Sequence, residues 1–175
     1  MPVTYITSDK YATTNNIYSL WLAREHLAED ILLLEADVLF EKQLLTRLMM
    51  NENINLAAVA RYQSWMSGTV VYVDSEDRIQ RFICSKQQGP DFDYSNAFKT
   101  VNIYLFRKDF LTQYFVPLLD GYISSGKVNE FYEIILTSNE YQEKWPCRAI
   151  YCDDLKWSEI DNEKDRLAAE KLFST

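Results

Sequence analysis

The sequence predicts an α/β sandwich with a mixed sheet. Three observations carry that expectation: helix-spaced and strand-length apolar segments alternate at the front of the chain, the strand segments are continuous apolar runs, and a hairpin pattern interrupts the series midway. Continuous runs suit strands covered on both faces by helices, as in a parallel sheet.

The first helix starts after Tyr11-Ala12-Thr13-Thr14-Asn15-Asn16, where Asn is a good cap, and Ile17, Leu20, Trp21, Arg24, Leu27 and Ala28 follow at helical spacing. Arg24 breaks that apolar stripe at its middle. Ile31-Leu32-Leu33-Leu34 is the first strand and runs into the acidic tripeptide Glu35-Ala36-Asp37. A helix is expected over 41–50 and a second buried strand over 56–60. Thr69–Val73, the polar turn Asp74-Ser75-Glu76-Asp77 and Arg78–Cys84 make the hairpin. Residues 86–96 form a loop and 99–106 another strand. Residues 107–123 read as a helix bent or restarted at Pro117, which has no amide hydrogen to give. A helix over 128–138, a short strand over 148–152 and an amphipathic helix over 163–173 complete the series. No repeat, low-complexity segment or linker divides the chain, so one domain spanning 1–175 is expected.

Of 175 residues, 47% are apolar and 14% aromatic, with only four Gly and four Pro, a composition that can bury a core. Eighteen Lys+Arg against 26 Asp+Glu leave a formal charge of −8. That balance argues against nucleic acid, whose binding rests on cations that displace phosphate counterions, and against anionic membrane surfaces. Phosphorylated small molecules stay open, because an acidic chain holds them through bound Mg²⁺. Cys84, Cys147 and Cys152 show no CxxC or His-linked spacing, so neither a disulfide framework nor structural zinc is expected. The one histidine, His26, sits late in the first helix, where solvent or the helix C-terminus accounts for it. No apolar run is long enough to span a bilayer, and the opening Met-Pro-Val-Thr-Tyr-Ile has neither a basic region nor an apolar signal core. The expected location is the cytoplasm.

Ligands of open α/β sheets gather at the carboxyl ends of strands, which places Glu35 and Asp37 well for a metal. The same tripeptide is equally read as an acidic strand-to-loop transition. Glu159-Ile160-Asp161 repeats the alternation just before the last helix, where Asp161 or Asn162 could instead serve as an N-cap. The two pairs could share one Mg²⁺ and leave coordination places for phosphate oxygens. Arg61 to Thr69 is an aromatic, polar stretch that either holds a cationic head group on its ring faces or lids the core. Lys99 and Asn102 are candidates to touch a substrate phosphate, against the plainer reading of Lys99 as a solvated strand-starting residue. Phe131-Tyr132-Glu133, with Glu130, reads as a packed helical face.

Asp9-Lys10-Tyr11 followed by Asn15-Asn16-Ile17-Tyr18-Ser19-Leu20, and Leu33-Leu34-Glu35-Ala36-Asp37-Val38-Leu39-Phe40, resemble the nucleotidyltransferases related to CTP:phosphocholine cytidylyltransferase. The likeness continues through Ser64-Trp65-Met66-Ser67-Gly68-Thr69, Lys99-Thr100-Val101-Asn102-Ile103-Tyr104, Asn129-Glu130-Phe131-Tyr132-Glu133, and Trp157-Ser158-Glu159-Ile160-Asp161 with Asp165. These blocks are similar to the branch found fused to phosphoenolpyruvate phosphomutase or aminotransferase domains, which includes 2-aminoethylphosphonate cytidylyltransferases. The resemblance implies a three-layer α/β sandwich of the nucleotide-diphospho-sugar transferase type. It also implies a reaction in which a phosphate or phosphonate oxygen displaces pyrophosphate from the α-phosphorus of an NTP, with CTP favoured. By motif, Asp37 becomes the main Mg²⁺ ligand and Asp161 its partner, both also catalytic, with Glu159 beside them in the metal set, while the role of Glu35 stays open. Lys99 becomes a catalytic candidate, and Asn16, Tyr62, Trp65, Asn102 and Glu130 become acceptor-pocket candidates, with Lys99 also placed there.

One departure is large. The family begins with a strand and a glycine-rich GxGxR loop, followed by a PK lysine, whereas Gly68 is the first glycine here and the pattern joins at about Tyr5. The expectation is therefore a domain lacking its opening β-α units and weak or inactive by itself, or a non-catalytic module on the same fold. Unpaired strand edges in such a piece would favour self-association. A metal-dependent glycosyltransferase shares the acidic tripeptide but fits Trp157–Asp161 poorly.

Overall fold

A computed structural model describes residues 3–50, 53–138 and 144–174. Its helices are α1 (Asn16–Leu22), α2 (Lys42–Met49), α3 (Lys108–Phe110), α4 (Val116–Ser124) and α5 (Glu163–Phe173). Its strands are β1 (Ile31–Leu34), β2 (Val38–Phe40), β3 (Asn55–Arg61), β4 (Val70–Val73), β5 (Ile79–Ile83), β6 (Phe98–Phe106), β7 (Cys147–Tyr151) and β8 (Trp157–Glu159). The six-stranded sheet has the order β5-β4-β6-β3-β7, and β1 lies beside the far end of β6, opposite β3. β3 and β7 are parallel and the other pairings antiparallel, so the sheet is mixed, as expected. β2 and β8 form a separate two-stranded ribbon.

Side chains alternate along the central strands and define the layers. Ala57, Val59, Tyr104 and Phe106 face α1, α4 and the Tyr132–Thr137 turn in one buried cluster. Leu56, Ala58, Ala60, Val101, Ile103 and Leu105 face Leu44 and Leu48 of α2 in another. This is the three-layer arrangement. Complete burial of Ile17, Leu44 and Leu48 contributes about 1.5–3 kcal/mol for each side chain.

Several elements differ from expectation. α1 stops at Leu22, and Arg24–His26 continues as a 3-10 turn, because Arg24 turns back to donate to Trp21 O (3.0 Å). β1 is antiparallel to β6 and only half-buried, rather than a parallel strand covered on both faces. The helix bends ahead of Pro117: Val116 N–H reaches back five residues to Leu111 O, making a π turn over Leu111–Phe115. Most of the helix expected over 128–138 is replaced by a 3-10 helix at Tyr132–Thr137. Ser138 follows it, and residues 139–143 lie outside the described residues. Among the described residues no helix is long and apolar enough to cross a membrane.

Candidate active site

β1 ends at Leu34, and the chain turns through Glu35-Ala36-Asp37 into β2. β2 is held antiparallel to β8, with Val38 opposite Glu159 and Ile160 N–H donating to Asp37 O (2.9 Å). The ribbon thus brings Asp37 and Asp161, distant in sequence, to one end of the sheet. Both line a cavity of about 980 Å³, a size suited to a small-molecule ligand. Asn162 rather than Asp161 caps α5, its Oδ1 accepting from Lys164 N (2.9 Å) and Asp165 N (3.2 Å). Asp161 is left for the cavity, and neither its carboxylate nor that of Asp37 has a hydrogen-bond or ion-pair partner among the described residues.

Between these groups β6 carries a bulge in which Val101, Asn102 and Ile103 oppose the single Ala58. Asn102 sits at its centre with φ of 57°, a left-handed conformation that Asn tolerates better than most residues. Its amide Nδ2 donates to Glu35 Oε2 (3.0 Å) and Glu159 Oε1 (2.9 Å), and its Oδ1 accepts from Thr100 Oγ1 (3.0 Å). Asn16 joins from α1, donating to Glu35 Oε1 (3.4 Å) and accepting from Tyr132 N (2.9 Å). Lys99 is fully buried, not solvated: its Nζ lies 2.8 Å from Glu159 Oε1 and 2.5 Å from Thr100 O. Gly68 packs on it. A Cβ there would stand 3.3 Å from Lys99 Cε and Nζ, and the φ of 100° also requires glycine.

Burial pushes the Glu35 carboxyl above its usual range, and the negative charge of Asp37 adds to the rise, while the nearby Tyr132 hydroxyl and Lys99 oppose it. Burial likewise pushes Glu133 up to about 7, with the charge of Glu35 the next cause.

Of the residues singled out in the sequence, Asn16, Glu35, Asp37, Lys99, Asn102, Glu159 and Asp161 meet at the cavity. Tyr62, Trp65 and Glu130 do not line it. Tyr62 stacks on Tyr94 with ring centroids 4.0 Å apart and donates to Met66 O (3.2 Å). Trp65 is 75% exposed on the loop before β4, and Glu130 pairs with Lys86 Nζ at 2.8 Å. Glu133, on the face expected to pack, lines the cavity instead. Its signal was the Phe-Tyr-Glu block itself, in which a 3-10 turn rather than an α-helix directs the side chains.

Among the described residues no three Asp, Glu, His or Cys side chains form a complete cage for a metal ion. Mg²⁺ needs only one or two carboxylates and takes the rest of its shell from substrate phosphates and water. Two cavity-lining carboxylates without protein partners, Asp37 and Asp161, fit that donor set.

No family model matches the chain. The chain is similar to the CMP-5'-(3-aminopropyl)phosphonate synthase of Streptomyces rubellomurinus, with 32% identity over 174 residues, covering 99% of this chain and 28% of that protein. It therefore spans little more than a quarter of that relative's length. Among solved structures it superimposes on the CTP:phosphocholine cytidylyltransferase of Streptococcus pneumoniae with a TM-score of 0.73 and 18% identity, over 94% of this chain and 66% of the other. An inositol-1-phosphate CTP transferase from T. maritima follows, with a TM-score of 0.68 and 16% identity over 94% and 63%. The fold is that of the nucleotidyltransferases, and the cytidylyltransferase resemblance seen in the sequence extends along nearly the whole chain.

Proposed function

We propose that the cavity serves nucleotidyl transfer, in which an NMP unit, CMP by preference, passes from an NTP to a phosphate or phosphonate acceptor and pyrophosphate is released in the cytoplasm. One observation carries this reading: the β2–β8 ribbon sets the unpartnered carboxylates of Asp37 and Asp161 on one cavity beside a buried, fully engaged lysine. Similarity to a synthase of CMP-linked aminopropylphosphonate supports it.

In this reading an acceptor oxygen forms the new bond to the α-phosphorus while the bond to the β-phosphate oxygen breaks and its electrons leave with pyrophosphate. The acceptor oxygen is already anionic near neutrality, so no protein base is required. The chain's contribution is to position the reactants. Asp37 and Asp161 would hold Mg²⁺, which supplies neutralisation of phosphate charge when bound. Glu159 stands beside them with its Oε1 held by Lys99 and Asn102, so it acts as a fixed negative wall and orients the ribbon. Asn16 and Asn102 hold Glu35 in the floor. No GxGxR segment is present in these 175 residues, and among the described residues no such triphosphate grip lines the cavity, so turnover by this chain alone is expected to be slow.

The test is to incubate the chain at high concentration with CTP, Mg²⁺ and phosphocholine, 2-aminoethylphosphonate or 3-aminopropylphosphonate, and follow the CMP conjugate and pyrophosphate by ³¹P NMR. Slow, equimolar formation of both, lost in Asp37→Asn, is the expected result. Absence of product, together with Mn²⁺ that fails to broaden resonances near Asp37 and Asp161, overturns the reading.

A second reading, a non-catalytic binding module, is favoured by one feature: among the described residues the outer edge of β1 has no strand partner, and Leu34 is 39% exposed there. Sedimentation at low concentration separates the two, since a stable monomer counts against a partner-dependent module.

A further inference from the structure

Resting on the reading of Asp37 and Asp161 as the metal carboxylates, we infer that Asn102 is a positioning residue. Its one side-chain amide clamps Glu35 to Glu159 and thereby fixes the two aspartates, each two residues further along the chain, relative to one another.

Two acidic segments reach the cavity from different parts of the fold, Glu35-Ala36-Asp37 from the end of β1 and Glu159-Ile160-Asp161 from the end of β8. The β2–β8 ribbon is a sheet of its own, so its placement at this end depends on side chains of β6. Lys99 reaches Glu159 alone, and Asn16 reaches Glu35 alone. Among the described residues Asn102 is the side chain bonded to both. Its Nδ2 gives one N–H to Glu35 Oε2 (3.0 Å) and the other to Glu159 Oε1 (2.9 Å), which uses both amide hydrogens. The main chain joins in, with Glu35 N–H donating to Asn102 O at 3.3 Å.

The amide can sit only one way round. Oδ1 accepts from Thr100 Oγ1 (3.0 Å), and the reverse orientation would set a carbonyl oxygen against two carboxyl oxygens. The backbone carries the cost of aiming it. Asn102 holds a φ of 57° at the centre of the β6 bulge, and it lines the cavity while Val101 and Ile103 on either side are fully buried against α2. Such outliers persist where the surroundings hold them, and they gather at working sites. Glycine would take this backbone more cheaply, so the conformation by itself does not call for asparagine. Aspartate tolerates it too, but would turn oxygen toward two carboxyl groups. Asparagine alone of the three supplies two hydrogens to two acceptors. Groups that orient metal-binding carboxylates from behind are typically worth about 10–100-fold in metal affinity.

The experiment measures Mn²⁺ binding to the 175-residue chain by water-proton relaxation, in the wild type and in Asn102→Gly, which keeps the left-handed backbone and deletes the clamp. The variant should bind Mn²⁺ at least about tenfold more weakly. A second readout needs no metal. In chain labelled with ¹³C at aspartate carboxyls, the Asp37 and Asp161 signals should shift in Asn102→Gly, while those of Asp120 and Asp154, held by Trp21 and Arg47, stay in place. A third needs no variant: the two Asn102 side-chain amide protons of the wild type should exchange with water more slowly than those of a free asparagine amide. Mn²⁺ affinity in Asn102→Gly within about twofold of wild type, aspartate signals that do not respond, or exchange at the free-amide rate would each overturn the assignment. A wild-type chain that binds no Mn²⁺, although both aspartate signals respond to Asn102→Gly, removes the metal reading alone and leaves the clamp standing.

Discussion

Lys99→Met removes the only cation lining the cavity among the described residues and keeps most of the side-chain volume. The lysine is fully buried and the Glu159 side chain is 22% exposed, so the pair is desolvated at one end and reaches water at the other. Breaking a buried pair by removing one partner costs about 3–5 kcal/mol. Water at Glu159 moves the expected loss to the lower end, about 3 kcal/mol. For a chain of this length that is roughly a 6–12 °C fall in Tm. The assay is thermal and urea unfolding at pH 7, with the m-value required to stay constant so that the change reads as stability. Lys99→Met combined with Glu159→Gln removes the stranded charge and should restore about half the loss. The reasoning is refuted if Lys99→Met lowers Tm by less than about 2 °C. It is refuted equally if the double variant loses the sum of the two single losses within about 0.5 kcal/mol.

Two further outcomes follow from the same geometry. Asp37→Asn and Asp161→Asn relieve repulsion between carboxylates that have no protein partner, so each should raise stability by about 0.5–1 kcal/mol while abolishing Mg²⁺-dependent product formation; urea midpoints and ³¹P NMR measure the two sides of that exchange. Glu133, pushed from 4.5 to about 7 on folding, gives stability that is full below pH 4.5 and lost as pH rises through 7. The loss amounts to about 3 kcal/mol and should vanish in Glu133→Gln, as read from urea unfolding at steps between pH 4.5 and 8.

The central strands were legible because they are apolar runs whose length and composition admit little else: the expected 56–60, 99–106 and 148–152 differ from β3, β6 and β7 by a residue or so. β2 and β8 were not legible. Each is three residues long and has no pattern of its own, and they exist as strands only because each pairs with the other across most of the chain. The carboxylates at and beside their ends were therefore visible as residue types, while spacing left their convergence only an option and the family resemblance, not the pattern, made it an expectation. The cap of α5 shows the same limit. Asp161 and Asn162 are both good N-caps, and only the structure shows that Asn162 takes the role. Lys99 looked like a solvated strand start because sequence spacing shows no hint of Glu159 arriving from β8. Glu133 was hidden by period: a 3-10 turn with three residues per turn aims a side chain differently from the α-helix expected there.

The β2–β8 ribbon also fixes when the site comes into being. Asp37 and Asp161 stand about 120 residues apart in the chain. Closing a loop of that length costs on the order of 4 kcal/mol in chain entropy, and three residue pairs are what close it. The six-stranded sheet has no strand after β7, so the ribbon adds no hydrogen bond to it. The two carboxylates meet only through that closure, and a nick between Cys152 and Trp157 is expected to leave the sheet paired with its chemistry unclasped.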